Sequence, residues 1–177
     1  MVAVIALVLA VIALGGVYLS FTARRIDRLN SRVEAARAAL DAQLVRRAAA
    51  AEALGLSGTS GGPLAERLAQ AAAVAVHADG FDRRREDVEN ALSRALHAVL
   101  DSRGPDPLDE LAVVCRKVVL ARRFYNDAVR DTVTLRGRRL PRLLHLAGHA
   151  PVPAYFDIDD SAVPASSTET SAAERPG

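Results

Sequence analysis

The chain opens with the apolar stretch Val2-Ala-Val-Ile-Ala-Leu-Val-Leu-Ala-Val-Ile-Ala-Leu-Gly-Gly-Val-Tyr-Leu19. About 20 apolar residues, each adding about 1.5 Å to a helix, cross a hydrocarbon core of roughly 30 Å. Tyr18 and Phe21 fall at the end of the run, where aromatic rings favour the membrane interface. The sequence therefore predicts a transmembrane anchor over residues 1–22, with residues 2–21 in contact with the lipid bilayer.

A cleaved signal peptide is the alternative interpretation of this stretch. Signal peptides have a positively charged start, a shorter apolar run and an Ala-x-Ala-like cleavage site. Here no charged side chain precedes the run, and bulky Phe21 lies two places before Ala23, the best small-residue position. We therefore expect a retained anchor.

Positive charge is placed asymmetrically around the span. No Lys or Arg precedes it, whereas four arginines follow it closely: Arg24, Arg25, Arg28 and Arg32. Basic residues flanking a span favour the cytoplasmic side. The sequence predicts a single-pass protein of the cell membrane whose C-terminal part is cytoplasmic.

Composition favours a helical domain after the anchor. Aromatic residues make up 4 % of the chain and Trp is absent, so the core consists mainly of Leu, Val and Ala, which suit helices better than sheets. The single cysteine, Cys115, excludes an intramolecular disulfide and a cysteine-rich metal site. The net charge of +2 argues neither for nor against a polyanionic partner. The Arg-rich segments lack the interleaved aromatics of a nucleic-acid surface, so no nucleic-acid partner is predicted.

Apolar residues at helical spacing predict four helices. The first continues from the anchor without Gly or Pro from Val17 to Leu54, and a flexible loop follows over 55–63. Pro63 is a first-turn proline for the second helix, which runs to about His77. Asp82 is the expected N-cap of the third, and a heptad pattern with Gly137 and then Pro141 after it marks the fourth.

The predicted fold is all-α: an N-terminal transmembrane helix that continues into an antiparallel four-helix bundle. The bundle occupies residues 23–158 and includes a short amphipathic piece, Pro141 to Ala147. Residues 159–177 contain almost nothing that can bury surface, so they are expected to form a disordered tail. The breaks at Gly55 and Gly104 exclude the longer helices that a coiled-coil signalling stalk requires.

Several stretches resemble motifs of the LemA family. Ala121-Arg-Arg-Phe-Tyr-Asn-Asp-Ala-Val-Arg130 is similar to Arg-x-x-Tyr-Asn-x-x-Val, and Leu40-Asp-Ala-Gln-Leu-Val-Arg-Arg47 to Ile-Asp-Val-Gln-Leu-x-Arg-Arg. Pro105-Asp106 with Leu108 resembles Tyr-Pro-Asp-Leu, and Pro153-Ala-Tyr-Phe-Asp157 resembles the family's closing aromatic-acid segment. The likeness extends from Arg24 to Asp159, and the missing Trp near Ala35 and Ala36 makes the chain similar to a divergent member. The resemblance implies a bacterial membrane protein with an external N-terminus, a four-helix bundle and no established biochemical activity.

Two polar groups interrupt the apolar stripes and form the first candidate site. They comprise Asp41, Gln43, Arg46 and Arg47 on the first helix and Arg122, Tyr125 and Asn126 on the last. Unpaired polar groups at core positions are costly. The groups therefore predict either a buried hydrogen-bond layer between the two helices, with Arg122 bonded near Gln43, or a ligand or partner site.

A second candidate site follows from the parity of the bundle. If the first helix leaves the bilayer, the fourth returns to it, and its end carries Arg136, Arg138, Arg139 and Arg142. These arginines are a hypothetical lipid-headgroup contact, with solvation of a helix end as the alternative.

Catalytic signatures are absent from the sequence. His145 and His149 have the spacing of two metal ligands, but no acid lies between them, no third ligand is evident, and His77 and His97 belong to other elements. Cys115 lies on the apolar heptad and is expected in the core. No metal, cofactor or catalytic residue is therefore predicted.

The sequence is best interpreted as a non-enzymatic, membrane-tethered bundle that binds or organises a protein partner, whose identity and oligomeric state it leaves open. The alternative is a membrane-bound, metal-dependent enzyme or regulator that uses the C-terminal histidines. Stoichiometric zinc in the purified protein would favour this alternative.

Overall fold

A computed structural model describes residues 1–57, 62–103, 109–137 and 151–159. Within these ranges the protein is all-helical, as the sequence predicted. The helices are α1 (Val2–Leu56), α2 (Pro63–Val76), α3 (Arg83–Arg103) and α4 (Asp109–Arg136). The predicted amphipathic piece at 141–147 and residues 160–177 of the predicted tail lie outside the described residues.

The first helix is one continuous rod of 55 residues. It is long and apolar enough near its N-terminus to cross a membrane, and no side chain of its apolar window is buried by the rest of the protein. The rod ends at Leu56 rather than Leu54, so Gly55 belongs to the helix and not to the loop. A Cβ at Gly55 would lie only 2.9 Å from the carbonyl oxygen of Ala65, which shows how closely α2 approaches.

The starts of the next two helices follow the predicted signals. Pro63 is the first residue of α2, where its missing N–H has no intrahelical partner to lose. Gly80 adopts a positive φ of 88° in the turn before α3. The Asp82 carboxylate then accepts a hydrogen bond of 3.0 Å from the backbone N–H of Arg85, which confirms Asp82 as the N-cap.

The helices pack as an antiparallel bundle around α1. This rod packs against α2 and α4, and α2 packs in turn against α3. Arg32 of α1 pairs with Asp131 near the end of α4, whereas Ala48 and Ala51 share a cluster with Leu111 near its start. The fourth helix therefore descends along α1 towards the apolar N-terminal span, as the parity of four helices requires.

Two apolar clusters form the core. The distal cluster, far from the N-terminal span, joins all four helices through Ala48, Leu68, Leu96 and Leu111 among others. The proximal cluster, nearer the span, joins α1 and α4 through Val33, Leu40, Tyr125 and Val129, and it also contains Phe156 and Ile158. Since neither α2 nor α3 contributes an apolar side chain to this cluster, the C-terminal segment completes the core there.

Candidate functional site

The predicted polar residues of α1 divide between the interior and the surface. Arg47 is 2 % exposed, Asp41 and Gln43 are half-buried, and Arg46 is exposed. The amide oxygen of Gln43 is buried and has no hydrogen-bond partner among the described residues. These four side chains therefore do not form a single buried layer.

Arg47 belongs to a buried ionic network between α1 and α3. Its Nη2 donates to Glu89 Oε2 at 2.7 Å, and its Nη1 lies 3.4 Å from Ser93 Oγ. The other carboxylate oxygen of Glu89 accepts from Arg85 Nε at 2.9 Å. Arg85 Nη2 lies 3.5 Å from the half-exposed Asp41, which returns the network to α1. Because Glu89 and both arginines are buried, each charge depends on its counter-charge.

The sequence-based prediction named none of the three residues that α3 contributes to this network. Arg85, Glu89 and Ser93 are all buried, on the face of α3 that the sequence predicted from Leu92, Leu96 and Val99. The spacing 85–89–92–96–99 is a heptad with charged residues at two core positions. This interrupted heptad is the signal from which the two charges could have been found.

Tyr125 and Asn126 of α4 hold the C-terminal segment 151–159. The Asn126 side chain makes two hydrogen bonds of 3.0 Å with the backbone of Phe156, donating through Nδ2 and accepting through Oδ1. Tyr125 donates its hydroxyl to the carbonyl oxygen of Ala154 at 2.8 Å. Burial raises the pKa of this hydroxyl, so it remains a donor. The Tyr-Asn motif thus binds the aromatic-acid segment, the last of the sequence elements that resemble LemA proteins.

Helix α3 binds the other side of the same segment. Glu86 accepts from the N–H of Asp157 at 2.8 Å, and Asn90 accepts from the N–H of Asp159 at 2.7 Å. Ser93, a member of the ionic network, donates to the Asp159 carbonyl at 2.8 Å. Asp159, assigned by the sequence to the tail, is therefore held by two hydrogen bonds to α3.

Alternate side chains of the segment enter the core. Phe156 and Ile158 are 1 % and 4 % exposed, whereas Tyr155 is 52 % exposed. The Phe156 ring centroid lies 4.8 Å from that of Phe81, which also packs against Tyr125. An extended chain turns successive side chains to opposite faces, which explains this alternation. The segment is an integral part of the proximal core.

Arg122, the remaining member of the predicted polar layer, lies close to the C-terminal segment. Its Nη1 is 3.7 Å from the Asp157 carboxylate, and its side chain is 20 % exposed. The predicted bond from Arg122 towards Gln43 remains a prediction. The polar groups described here connect α1 with α3 and α4 with segment 151–159.

A shallow apolar groove lies between α1 and α4. It has a volume of about 210 Å³ and is lined by Ala36, Ala39, Gln43, Lys117, Leu120, Ala121 and Phe124. Phe124 and Leu120 are 58 % and 52 % exposed, although large apolar side chains are usually better covered. Gln43, whose buried amide oxygen has no hydrogen-bond partner among the described residues, also lines this groove. We call these seven residues the α1–α4 groove.

Only one of the four arginines proposed for headgroup contact lies in the described residues. Arg136 is the last residue of α4, and its Nη1 donates to the Pro151 carbonyl at 2.8 Å. Arg138, Arg139 and Arg142 lie outside the described residues. The headgroup contact therefore remains a prediction.

Cys115 and the two described histidines have ordinary structural settings. Cys115 is buried in the distal cluster, and this burial raises the pKa of its thiol. His77 Nδ1 lies 2.9 Å from the Ala73 carbonyl, and His97 is half-buried on α3. No group of three or more potential metal ligands occurs among the described residues. His145 and His149 lie outside them.

The chain matches no family model, no curated protein and no solved structure in three separate comparisons. The resemblance to LemA proteins therefore rests on the motifs quoted above. An all-helical bundle with one candidate membrane-spanning helix is the description that the structure supports.

Proposed function

We propose that this chain is a membrane-tethered helical bundle of the LemA type, which binds a protein partner through the α1–α4 groove and has no catalytic activity of its own. The observation that carries the proposal is the groove itself. Two large apolar side chains, Leu120 and Phe124, are more than half exposed there, between two packed helices. A bound partner would cover these exposed apolar side chains.

The tether is supported by the length and apolarity of α1. Its first 20 or so residues suffice for the bilayer, and the remaining 35 extend the same helix about 50 Å beyond it. The positive residues after the span favour a cytoplasmic bundle in the cell membrane. A reporter that works only in the cytoplasm should therefore be active when fused after Gly177, and activity of only an exported reporter there would contradict this orientation.

The chemistry of the groove specifies the partner that it fits. Phe124 and Leu120 offer apolar surface, the alanines of α1 permit a backbone to approach closely, and Lys117 adds a positive charge at the edge. These features match an amphipathic helix that carries an apolar stripe and an acidic residue opposite Lys117. We therefore propose a helix of another protein as the occupant.

Site-specific photo-crosslinking in native membranes tests this proposal. A photoreactive residue replaces Leu120 in the full chain, and a matched one replaces Arg94, which is exposed on α3 away from the groove. We expect an adduct with a different protein from position 120 only. The captured protein, once purified, should bind the full chain about tenfold more weakly after Phe124→Ala, as for a central aromatic contact.

Three outcomes would contradict the proposal. Equal adducts from positions 94 and 120 would indicate nonspecific contact, and unchanged affinity after Phe124→Ala would exclude the groove as the binding surface. Adducts formed only between two copies of the chain would replace the helix of another protein with self-association.

A further inference from the structure

A second, polar cleft separates α1 and α4 near the N-terminal span. It has a volume of about 380 Å³. Arg25, Arg32, Arg130, Asp131 and Thr134 line it, with two leucines beside them. Three arginines and one aspartate thus line a space large enough for a phosphate group and its substituents. We call this the arginine cleft.

The cleft lies close to the expected bilayer surface. Arg25 follows Phe21, the last residue of the predicted span, by one helical turn, or about 6 Å along the axis. Arg32 is about 10 Å farther along the same helix. The polar headgroup layer is roughly 5–7 Å thick on each side of the hydrocarbon core. The lower end of the cleft therefore falls within the headgroup layer if α1 spans the membrane.

The arginines of the cleft are positioned but still accessible. Arg32 Nη1 is 3.2 Å from Asp131 Oδ2, and Arg130 Nη2 is 2.9 Å from Asp127 Oδ1. The two arginine side chains are nevertheless 57 % and 64 % exposed. Arg25 is exposed and forms no ion pair within the described residues. Each guanidinium therefore retains N–H groups that can donate to an anion.

We propose that the arginine cleft binds the phosphate of an anionic phospholipid headgroup. Guanidinium groups form paired hydrogen bonds with phosphate oxygens, and Thr134 supplies a hydroxyl of the same preference. Leu29 and Leu135 provide apolar contact for the carbon atoms that adjoin the phosphate. The cleft would fix the rotation of the bundle relative to the membrane. This inference rests on the proposed membrane tether.

The binding of short-chain lipids to the full chain in neutral detergent tests the proposal. The probes are phosphatidylglycerol, phosphatidylcholine and inorganic phosphate, and the readouts are the dissociation constant and the shift in melting temperature. We expect saturable binding of phosphatidylglycerol that weakens with salt, and no comparable effect of the other two probes. Since one arginine contributes about 1 kcal/mol, each replacement should weaken binding about fivefold.

Two variants locate the binding. Arg25→Gln removes the arginine that has no ion pair within the described residues, and it should weaken phosphatidylglycerol binding without lowering the melting temperature of the lipid-free protein. Arg25→Gln combined with Arg130→Gln should weaken it further. The matched control combines Arg84→Gln with Arg94→Gln, two exposed arginines of α3, and should bind as the unmodified chain does.

The outcomes separate this inference from the proposed function. If free phosphate stabilises the chain as well as the lipid does, the cleft is an anion site and not a lipid site. Equal binding of both lipids, or losses as large in the α3 control, would overturn the cleft. Retention of the chain in membranes after a carbonate wash tests the tether alone, so a retained chain without lipid preference refutes only the cleft.

Discussion

Replacement of Glu89 by Gln should strongly destabilise the bundle. Glu89 is fully buried and accepts hydrogen bonds from Arg47 at 2.7 Å and from Arg85 at 2.9 Å. Gln has nearly the same shape but no charge, and its amide nitrogen would face one of the two guanidinium donors. The substitution therefore removes one bond and the counter-charge together.

The magnitude follows from what remains of the network. Asp41 reaches Arg85 only at 3.5 Å and is half exposed to solvent, so it compensates little of the lost charge. Three guanidinium nitrogens of Arg47 and Arg85 already lack a hydrogen-bond partner within the described residues. No described acceptor is therefore left over to replace the lost carboxylate oxygen. Removing one partner of a buried ion pair costs about 3–5 kcal/mol, a large share of a typical stability of about 5–15 kcal/mol.

Thermal unfolding of the full chain in detergent, followed by circular dichroism, measures this effect. Glu34→Gln is the matched control, because Glu34 is exposed on α1 and forms no ion pair within the described residues. Combining Glu89→Gln with Arg47→Met should cost less than the two single changes together, since the orphaned charge is removed. A free energy of unfolding within about 1 kcal/mol of the unmodified chain for Glu89→Gln would refute the buried network.

Three further predictions follow from single contacts. Gly55→Ala should lower stability by about 1–3 kcal/mol, because its Cβ would meet the α2 backbone at 2.9 Å. The control is Gly15→Ala, whose Cβ meets nothing within 4 Å, and equal melting temperatures of the two variants would contradict the close approach of α2. Asn126→Leu removes both hydrogen bonds to the backbone of Phe156, so it should lower the free energy of unfolding by about 1–3 kcal/mol and expose segment 151–159 to proteases. An unchanged rate of proteolytic cleavage would show that these two bonds do not hold the segment. Burial raises the pKa of the Cys115 thiol, so its contribution to the free energy of unfolding should be fully present below the ordinary thiol pKa of about 8.5 and be lost as pH rises through the folded-state pKa. Cys115→Ala should reduce this loss of stability at high pH, and an identical pH profile in the variant would refute the prediction.

The helices were predictable because their signals are local. Asp82 caps α3 and Pro63 begins α2 as the sequence indicates, since both effects involve neighbouring backbone groups. The apolar heptad of α4 likewise placed Cys115 and Val118 in the core. Gly55 was interpreted as the start of a loop, because nothing local reveals that another helix passes close to it.

The buried charges were not predictable from one helix alone. A pair such as Arg85 and Glu89, four residues apart, is usually interpreted as a solvated helix surface. The pair can be buried because Arg47 of α1 donates a further hydrogen bond to Glu89, and Arg47 is 42 residues from Glu89 in the chain. The same limit applies to Asn126, whose two partners belong to an extended segment without helical periodicity.

In a membrane-tethered bundle of this topology, α4 returns to the bilayer surface while the far end of α1 lies about 50 Å away from it. Single cysteines at Thr134 and at Leu56 carry a fluorophore in the full chain, reconstituted into liposomes that contain nitroxide-labelled headgroups. The native Cys115 is buried and should not compete for the label. We predict strong quenching at position 134 and almost none at position 56. Equal quenching at the two positions, or stronger quenching at position 56, would contradict a bundle whose fourth helix descends to the membrane.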